Sequence, residues 1–159
     1  MVQEPDGLAA FAALLKVQAA VVRKLEERLE EQRLVPIAQY DVLLELNSAP
    51  GRRLRMQQLS DRVVLSRSRV SRVVDEMEKA GLVRRDPDPD DKRAAFAVIT
   101  DDGRAALRKA APVYVQGIEE EFLSHLTAGE RTTLERSLGK VLDASIRDGR
   151  SEPDRPAGP

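Results

Sequence analysis

The sequence predicts a mainly α-helical protein that carries one small β-hairpin, an α+β arrangement. Most apolar residues recur at steps of three and four, the spacing of one face of a helix. Two short runs break that spacing, residues 83–86 and 94–99, and they flank the turn-forming segment PDPDDKR. With 159 residues, 42% hydrophobic and 33% charged, the chain has the composition of a folded protein with one sizeable core, or two small ones that share helices.

The first two predicted helices have apolar faces of different kinds. Residues 8–31 form a seam whose apolar side chains alternate at steps of three and four, interrupted by Gln18: Leu8, Phe11, Leu15, Val22, Leu25 and Leu29. Such a seam is typical of a helix that packs along a partner helix. Pro36 is expected to begin the second helix, which has a broad apolar face, and the segment NSAPG at residues 47–51 ends it.

The middle of the chain predicts helix, turn, helix and hairpin in that order. A short extended piece at residues 53–55 precedes a helix of about eight residues that begins near Met56. Ser66 is predicted to cap the next helix with its hydroxyl, and that helix, residues 66–80, ends at Gly81. With the hairpin at residues 83–99 as a wing, this is the order of a winged helix-turn-helix.

The C-terminal part is predicted as two helices and a polar tail. The first helix begins at the acids after Thr100 and reaches about Leu126, with Pro112 as an expected kink. The segment TAGE, residues 127–130, is a capping box for the second helix, which carries four apolar residues on one face: Leu134, Leu138, Val141 and Leu142. Residues 147–159 are too polar and too rich in proline and glycine to pack, so disorder is expected there.

The predicted helix at residues 66–80 has two chemically different faces. At about 100° per residue, one side is apolar: Val70, Val73, Val74 and Met77. Residues 51–72 hold seven arginines against the single acid Asp61, although the formal charge of the chain is −1. Small hydroxylated side chains let a helix approach base edges, and arginines reach guanine or phosphate oxygens. The predicted DNA-binding residues on the polar side are Ser66, Arg67, Ser68, Arg69, Ser71 and Arg72.

Two alternatives apply to this helix. Its polar side could be a solvated basic face on an ordinary packing helix, which the charge pattern by itself does not exclude. Asp75 and Glu76 lie one turn beyond Arg72 and could pair with it at a spacing of three or four residues. We therefore expect only the first half of the helix to touch DNA.

The segment LSRSRVSRVVDEMEKAGLVRRDPDPDDKRAAFAVITDDGRAAL resembles the central signature of the MarR family of bacterial transcriptional regulators. The resemblance includes the recognition helix, the GLV entry to the wing, a loop of the form D-P-x-D-x-R and a T-x-x-G start to the next helix. It implies an obligate homodimer with interlocked terminal helices that binds an inverted-repeat operator as a repressor. It also implies release by a small effector, often anionic and aromatic. Oxidant-sensing members of the family use cysteine, which this chain lacks.

The wing loop combines four acids with two bases. Aspartate oxygens suit hard cations, but the glycine and distal glutamate of a calcium loop are missing, so no metal site is predicted. The family resemblance assigns Arg93 to insertion into the DNA minor groove and Asp91 to holding its guanidinium. Lys92 is expected to add a phosphate contact.

These assignments divide the chain into four parts. Residues 1–35 are the predicted N-terminal dimerisation helix, 36–100 the winged helix-turn-helix lobe, 101–146 the C-terminal dimerisation helices and 147–159 the tail. The terminal apolar seams would cover each other across a two-fold axis, and the alternative is an intramolecular helical bundle. A symmetric dimer would place its two recognition helices roughly 34 Å apart, so half-site centres would be about 10 base pairs apart.

The effector site is predicted only in outline. Apolar side chains near Tyr40, together with Arg23 or Arg52, could line a pocket for an anionic aromatic ligand. Each of the three residues is explained more simply as part of the core or the surface.

Enzyme chemistry has no support in the sequence. The chain contains no cysteine, one histidine, His125, and no glycine-rich phosphate loop, and the serines of residues 66–80 have no nearby base. No cofactor is predicted. The N-terminal segment has acids in place of a basic leader and charged residues among its apolar ones, so neither a signal peptide nor a membrane span is expected and the expected location is the cytoplasm. The alternative function is a winged-helix module for protein–protein interaction without DNA binding.

Overall fold

The computed structural model describes residues 7–91 and 93–149. In chain order its elements are α1 (Leu8–Glu31), α2 (Ile37–Ser48), a 3-10 turn (Pro50–Arg52), β1 (Arg53–Arg55), α3 (Met56–Arg62), α4 (Arg67–Lys79), β2 (Val83–Pro87), β3 (Ala95–Ile99), α5 (Asp101–Glu121), a second 3-10 turn (Leu123–His125) and α6 (Ala128–Gly149). The predicted α+β fold with a small antiparallel wing is confirmed. The chain divides after Ile118 into two compact units.

The core of the first unit forms where α2, α3 and α4 pack on the sheet. Its largest fully buried side chains come from all of these elements and include Leu43, Leu46, Leu59, Val70, Val74, Met77 and Val83. Burying one such side chain stabilises the fold by about 1.5–3 kcal/mol, so this face of α4 fixes the helix in place. The apolar face predicted for α4 is confirmed, since all four of its residues are buried.

The sheet has three antiparallel strands in the order β1, β3, β2. β3 is central, so Ala97 lies opposite Leu54 of β1 on one side and opposite Arg85 of β2 on the other. The sequence predicted β1 only as an extended piece, because a run of three residues does not show which strand it pairs with. The last register pair of the wing is Pro87 with Ala95, so the wing loop spans residues 88–94.

Thr100 and Gly103 fasten the base of the wing to the start of α5. The Thr100 hydroxyl oxygen lies 2.7 Å from the Gly81 carbonyl oxygen and 3.0 Å from that of Leu82. It also accepts a hydrogen bond from the Gly103 N–H at 3.0 Å. A Cβ on Gly103 would collide with the carbonyl oxygen of Leu82, so only glycine allows this close approach. The spacing T-x-x-G is thereby explained.

The predicted end of the fifth helix near Leu126 is wrong. α5 continues through Pro112 but ends at Glu121, because Phe122 leaves the helical conformation with φ −136° and ψ −62°. The Arg131 side chain donates to the carbonyl oxygen of Leu123 at 2.6 Å and to that of Leu126 at 3.2 Å. These bonds satisfy carbonyl groups that a helix end leaves without partners.

The predicted capping box at the start of α6 is confirmed. The Thr127 N–H donates to Glu130 Oε2 at 2.8 Å, and the Glu130 N–H donates to Thr127 Oγ1 at 3.4 Å. Hydrogen bonding from Thr127, first from its backbone and then from its hydroxyl, holds the pKa of Glu130 below its usual value. α6 extends to Gly149, so the predicted start of the tail after Ile146 is wrong, and residues 150–159 lie outside the described residues.

The seam of α1 consists of two different regions. Its C-terminal residues Leu25 and Leu29 are 4% and 1% exposed and pack within their own unit. The N-terminal residues Leu8, Phe11 and Leu15 are 49%, 59% and 52% exposed. The first part of α1 therefore presents an apolar surface that stays exposed among the described residues. Across the described ranges, no helix has the length and apolar character needed to cross a membrane.

Candidate nucleic-acid interface

The polar side of α4 forms an exposed surface, here called the recognition face. It consists of Ser66, Arg67, Ser68, Arg69, Ser71 and Arg72, all of which are exposed. Burial of the valines on the opposite side of α4 positions these side chains, since rotation of the helix would bury charge. The structure therefore brings the predicted residues of this helix together on one surface.

Two arginines of the recognition face have no partner in the part of the chain that the structure describes. Within residues 7–91 and 93–149, neither Arg69 nor Arg72 has a hydrogen bond or an ion pair. Arg67 lies 3.7 Å from Asp61 Oδ1, but both side chains are mostly exposed, so this contact is weak. The guanidinium groups of Arg69 and Arg72 are thus free to bind an anion or a base edge.

The predicted hydroxyl cap at Ser66 is wrong. Ser66 occupies the N-cap position with φ −66° and ψ 151°, but its side chain makes no capping hydrogen bond. Its hydroxyl oxygen lies 3.3 Å from that of Ser68 instead. The first turn of α4 also contains no acidic residue. The positive end of the helix dipole is therefore not neutralised by its own side chains.

Arg72 pairs with neither Asp75 nor Glu76 among the described residues, although the helical spacing allows it. Asp75 Oδ1 lies 2.6 Å from Arg85 Nη1, and Glu78 Oε2 lies 2.8 Å from the same nitrogen. Partial burial acts to lower the pKa of Arg85, but the hydrogen bonds to Asp75 and Glu78 outweigh it and raise that pKa. Arg85 of β2 therefore ties the wing to the second half of α4, and Arg72 has no ion pair with any described residue.

Asp91 and Arg93 interact differently from the prediction. Asp91 Oδ1 accepts a hydrogen bond from the Arg93 backbone N–H at 2.9 Å, and the Asp91 carbonyl oxygen accepts one from the Ala94 N–H at 2.9 Å. The acid thus holds the turn of the loop, and the predicted contact with the guanidinium is wrong for the residues described. Arg93 is exposed. Lys92 lies outside the described residues.

Sequence reasoning missed the residues that attach the wing to β1. Asp88 is the only buried acid among the described residues, 3% exposed, and its Oδ2 lies 2.7 Å from Arg55 Nε. The guanidinium carbons of Arg53 and Arg55 lie 4.6 Å and 5.7 Å from the centroid of the Phe96 ring. The alternation Arg-Leu-Arg at residues 53–55 indicated a short strand with two arginines on one face. Only the register of β1 on β3 shows that these arginines lie beside Phe96 and that Arg55 reaches Asp88.

A metal site in the wing finds no support in the geometry. No group of three or more His, Cys, Asp or Glu side chains is arranged to hold a metal ion in the part of the chain that the structure describes. The carboxylate of Asp88 instead contacts protein groups, namely the Arg55 guanidinium and the Asp90 N–H.

The three predicted effector residues have separate surroundings. Tyr40 is 4% exposed and stacks on Tyr114, with ring centroids 4.3 Å apart and an interplanar angle of 29°. Burial, followed by the nearby charge of Asp41, raises the pKa of both phenols. Arg23 is exposed and pairs with Glu27 at 2.7 Å, and Arg52 lies exposed in the first 3-10 turn. The structure thus gives Tyr40 a packing role.

A different cleft lies beside the recognition face. It has a volume of about 440 Å³ and is lined by residues of α1, the start of α2 and α4: Glu26, Pro36, Ala38, Gln39, Arg69, Arg72, Val73 and Glu76. None of Arg23, Tyr40 or Arg52 lines it. Arg69 and Arg72 line this cleft and are also exposed to solvent.

Known proteins share both the sequence pattern and the fold. The family model of the MarR family matches residues 35–94. Transcriptional regulator HosA of Escherichia coli O111:H- is 31% identical over 106 residues, which cover 67% of this chain and 76% of HosA.

Two solved structures from Streptomyces coelicolor superpose on most of the chain. AbsC, a MarR family transcriptional regulator, has a TM-score of 0.82 at 29% identity and covers 92% of this chain and 99% of its own. Sco3205, a MarR family transcriptional regulator solved in complex with DNA, has a TM-score of 0.80 at 31% identity and covers 86% of both chains. The winged fold, the HosA identity and the family match lead to one conclusion: the chain belongs to the MarR family and is a transcriptional regulator, not an enzyme.

Proposed function

We propose that this regulator is a sequence-specific DNA-binding repressor that acts in the cytoplasm as a homodimer on an inverted-repeat operator. The observation that carries the proposal is the recognition face, an exposed helix surface of serines and arginines on which Arg69 and Arg72 have no partner among the described residues. Unpaired guanidinium groups can exchange water for phosphate or guanine oxygens without first breaking an ion pair. The presence of DNA in the related Sco3205 structure supports the same use of the helix here.

The residues of the interface have different proposed roles. Arg69 and Arg72 reach base edges in the major groove, while the small side chains Ser68 and Ser71 allow close approach of the helix. Ser66 and Arg67, at the positive end of α4, contact phosphate. In the wing, Arg93 enters the minor groove and Lys92 contacts phosphate. Asp91 orders the loop by accepting hydrogen bonds from the backbone N–H groups of Arg93 and Ala94.

Homodimer formation is supported by apolar side chains that the single chain leaves exposed. They occur in α1 at Leu8, Phe11 and Leu15, in α5 at Val115, which is 61% exposed, and in α6 at Val141 and Leu142, each 62% exposed. Large apolar side chains left exposed along a helix are typical of interaction sites. Analytical ultracentrifugation tests the dimer, and a monomer at micromolar concentration would contradict it.

Release by a small anionic aromatic effector is supported by the cleft beside α4. Its volume of about 440 Å³ lies in the range of small-ligand sites. An anion bound there would engage Arg69 and Arg72, the same groups proposed to read DNA, so ligand and DNA would compete. Glu26 and Glu76 also line the cleft and would accept hydrogen bonds from a hydroxyl or amine of the ligand. A panel of hydroxylated aromatic acids should therefore reduce operator binding in the wild type.

Selection of bound duplexes from a random pool tests DNA binding and symmetry together. We expect enrichment of an inverted repeat with half-site centres about 10 base pairs apart, and a steep fall of log K with log salt from counterion release. The alternative, a protein–protein module, predicts no enriched duplex. The repressor role follows from the family resemblance and is tested by transcription in vitro from a promoter that contains the selected site, where stimulation would contradict it.

A further inference from the structure

The wing loop is attached to β1 through a buried ion pair. Asp88 is the first residue beyond the paired strands, and its side chain is 1% exposed, whereas that of Arg55 is 45% exposed. Arg55 Nε lies 2.7 Å from Asp88 Oδ2, but the N–H is not aligned for a hydrogen bond, so the contact is electrostatic. A buried carboxylate is costly without a compensating charge, and Arg55 supplies that charge.

Asp88 also organises the loop that follows it. Its Oδ1 accepts a hydrogen bond from the Asp90 N–H at 3.0 Å, and its own N–H donates to the Ala94 carbonyl oxygen at 3.2 Å. Ala94 in turn donates to the Asp91 carbonyl oxygen, and Asp91 accepts from the Arg93 N–H. A continuous series of local hydrogen bonds therefore connects Asp88 to the backbone of Arg93.

Arg55 is itself held by the helix-turn-helix. Its backbone lies opposite Phe96 in the β1–β3 register, and its N–H donates to Gln58 Oε1 of α3 at 3.1 Å. Its guanidinium lies 5.7 Å from the centroid of the Phe96 ring, at a distance where a cation and an aromatic face attract. Contacts with α3 and β1 therefore help to fix the position of the wing loop, in addition to the pairing within the hairpin.

We propose that Arg55 and Asp88 are positioning residues that orient the wing loop, and with it Arg93, before DNA is bound. The proposal rests on the proposed function, because it assumes that the wing contacts DNA. Neither carboxylate oxygen of Asp88 is available to DNA, since the side chain is buried. An acid that only repels phosphate weakens DNA binding, so its removal should strengthen binding. Removal of an acid that orders the loop should instead weaken binding, so the direction of the change distinguishes the two roles.

The first test compares Asp88→Asn with Asp90→Asn in operator binding. Both variants remove one negative charge from the same loop, but Asp90 is exposed and its side chain has no partner among the described residues. Asparagine at position 88 can still accept from the Asp90 N–H, so mainly the attraction to Arg55 is lost. We expect Asp88→Asn to weaken binding about 3- to 10-fold, because the loop must then be ordered on binding, while Asp90→Asn binds equally or more tightly. Equal behaviour of the two variants would overturn the proposal.

A second comparison approaches the pair from β1. Arg53 and Arg55 lie on the same strand and beside the same Phe96 ring, but of the two only Arg55 contacts Asp88. Lysine keeps the charge at either position and removes the planar guanidinium. We expect Arg55→Lys to weaken operator binding about 2- to 5-fold and Arg53→Lys to have less than half that effect. The reverse order would assign Arg53 to DNA and leave Arg55 without the proposed role.

The double variant Asp88→Asn with Arg93→Ala separates positioning from a general loss of structure. If Asp88 acts by placing Arg93, Asp88→Asn should reduce operator affinity only slightly once the Arg93 side chain is absent. The fold-loss of affinity in the double variant should then be smaller than the product of the two single fold-losses. Losses that multiply fully, together with a lowered melting temperature, would show that Asp88 matters only for folding.

Backbone relaxation by NMR tests the proposal in the protein without DNA. In the wild type we expect order parameters of about 0.8 for Asp90, Arg93 and Ala94, and a fall below about 0.6 in Asp88→Asn but not in Asp90→Asn. If no duplex binds at all, the proposed function fails while this result still stands. If the order parameters of the two variants are the same, the positioning role fails whether or not DNA binds.

Discussion

The recognition face of α4 and the three-stranded sheet that includes the wing are both rich in arginine, but most of these arginines have opposite surroundings. On the recognition face, Arg69 and Arg72 have no partner within the described residues. In the sheet, Arg55 of β1 and Arg84 and Arg85 of β2 lie 2.7, 3.0 and 2.6 Å from a carboxylate oxygen. A paired arginine is already ordered and its charge is compensated, so it holds the scaffold. An unpaired one can take a new anion at little cost.

The number of charges along a stretch of sequence locates an interface only coarsely, because some of those charges are paired in the folded protein. Residues 51–72 contain seven arginines, yet Arg55 and Arg62 of that segment face Asp88 and Glu45 in the structure. Among the described residues, Arg52, Arg53, Arg69 and Arg72 of this segment have no ion pair, and only Arg69 and Arg72 of these four lie on α4. Substituting paired and unpaired arginines in parallel therefore separates the two roles.

Arg72→Ala should give the largest effect. We expect specific binding to weaken by about 1–3 kcal/mol, with relaxed preference at one position in each half-site, because a base contact is lost. Binding should be measured on the selected operator and on single-base variants of it. Arg84→Ala is the matched control, since it removes the same charge from a paired site. An equal loss on every sequence would instead assign Arg72 to phosphate.

Arg85→Ala should reduce stability more than specificity. The change removes two ion-pair contacts to α4, but all three side chains are partly exposed, so we expect the free energy of unfolding to fall by only about 1 kcal/mol. Urea unfolding measures this. The preference for individual bases should stay the same, and a changed preference would mean that Arg85 reads DNA directly.

Arg67→Ala should weaken binding uniformly across sequences. Arg67 is at the first position of α4 and is 75% exposed, which suits a phosphate contact. We expect the slope of log K against log salt to become shallower by about 1, as one phosphate contact is lost. A salt series on specific and random duplexes provides the measurement, and an unchanged slope would remove Arg67 from the interface.

Arg84→Ala should give the smallest effect. Arg84 pairs with Asp86 at 3.0 Å, but the side chains are 57% and 36% exposed, so the pair is screened by water. We expect changes within about 0.5 kcal/mol in stability, and a smaller loss of operator affinity than for Arg72→Ala. If Arg84→Ala and Arg72→Ala lose affinity equally, pairing does not distinguish arginines that hold the scaffold from those that bind DNA.

The sequence by itself determined the features that depend on near neighbours. The spacing of apolar residues predicted the bounds of α1 and the two faces of α4. The Thr127–Glu130 capping box could be predicted because its two residues lie within one helical turn. The wing strands were also predicted to within one residue, since turn-forming residues separate them.

Only the tertiary structure decided which charges pair and which stay free. Asp75 is within reach of Arg72 on a helix, but Arg85, brought alongside by the packing of β2, takes it instead. Asp88 meets Arg55 because β1 pairs with β3, a register that three residues cannot encode alone. Tyr40 likewise stacks on Tyr114 of α5, a contact between residues that are far apart in the sequence. Local spacing limits the possible partners, but the choice among them depends on which elements pack together and how far they exclude water.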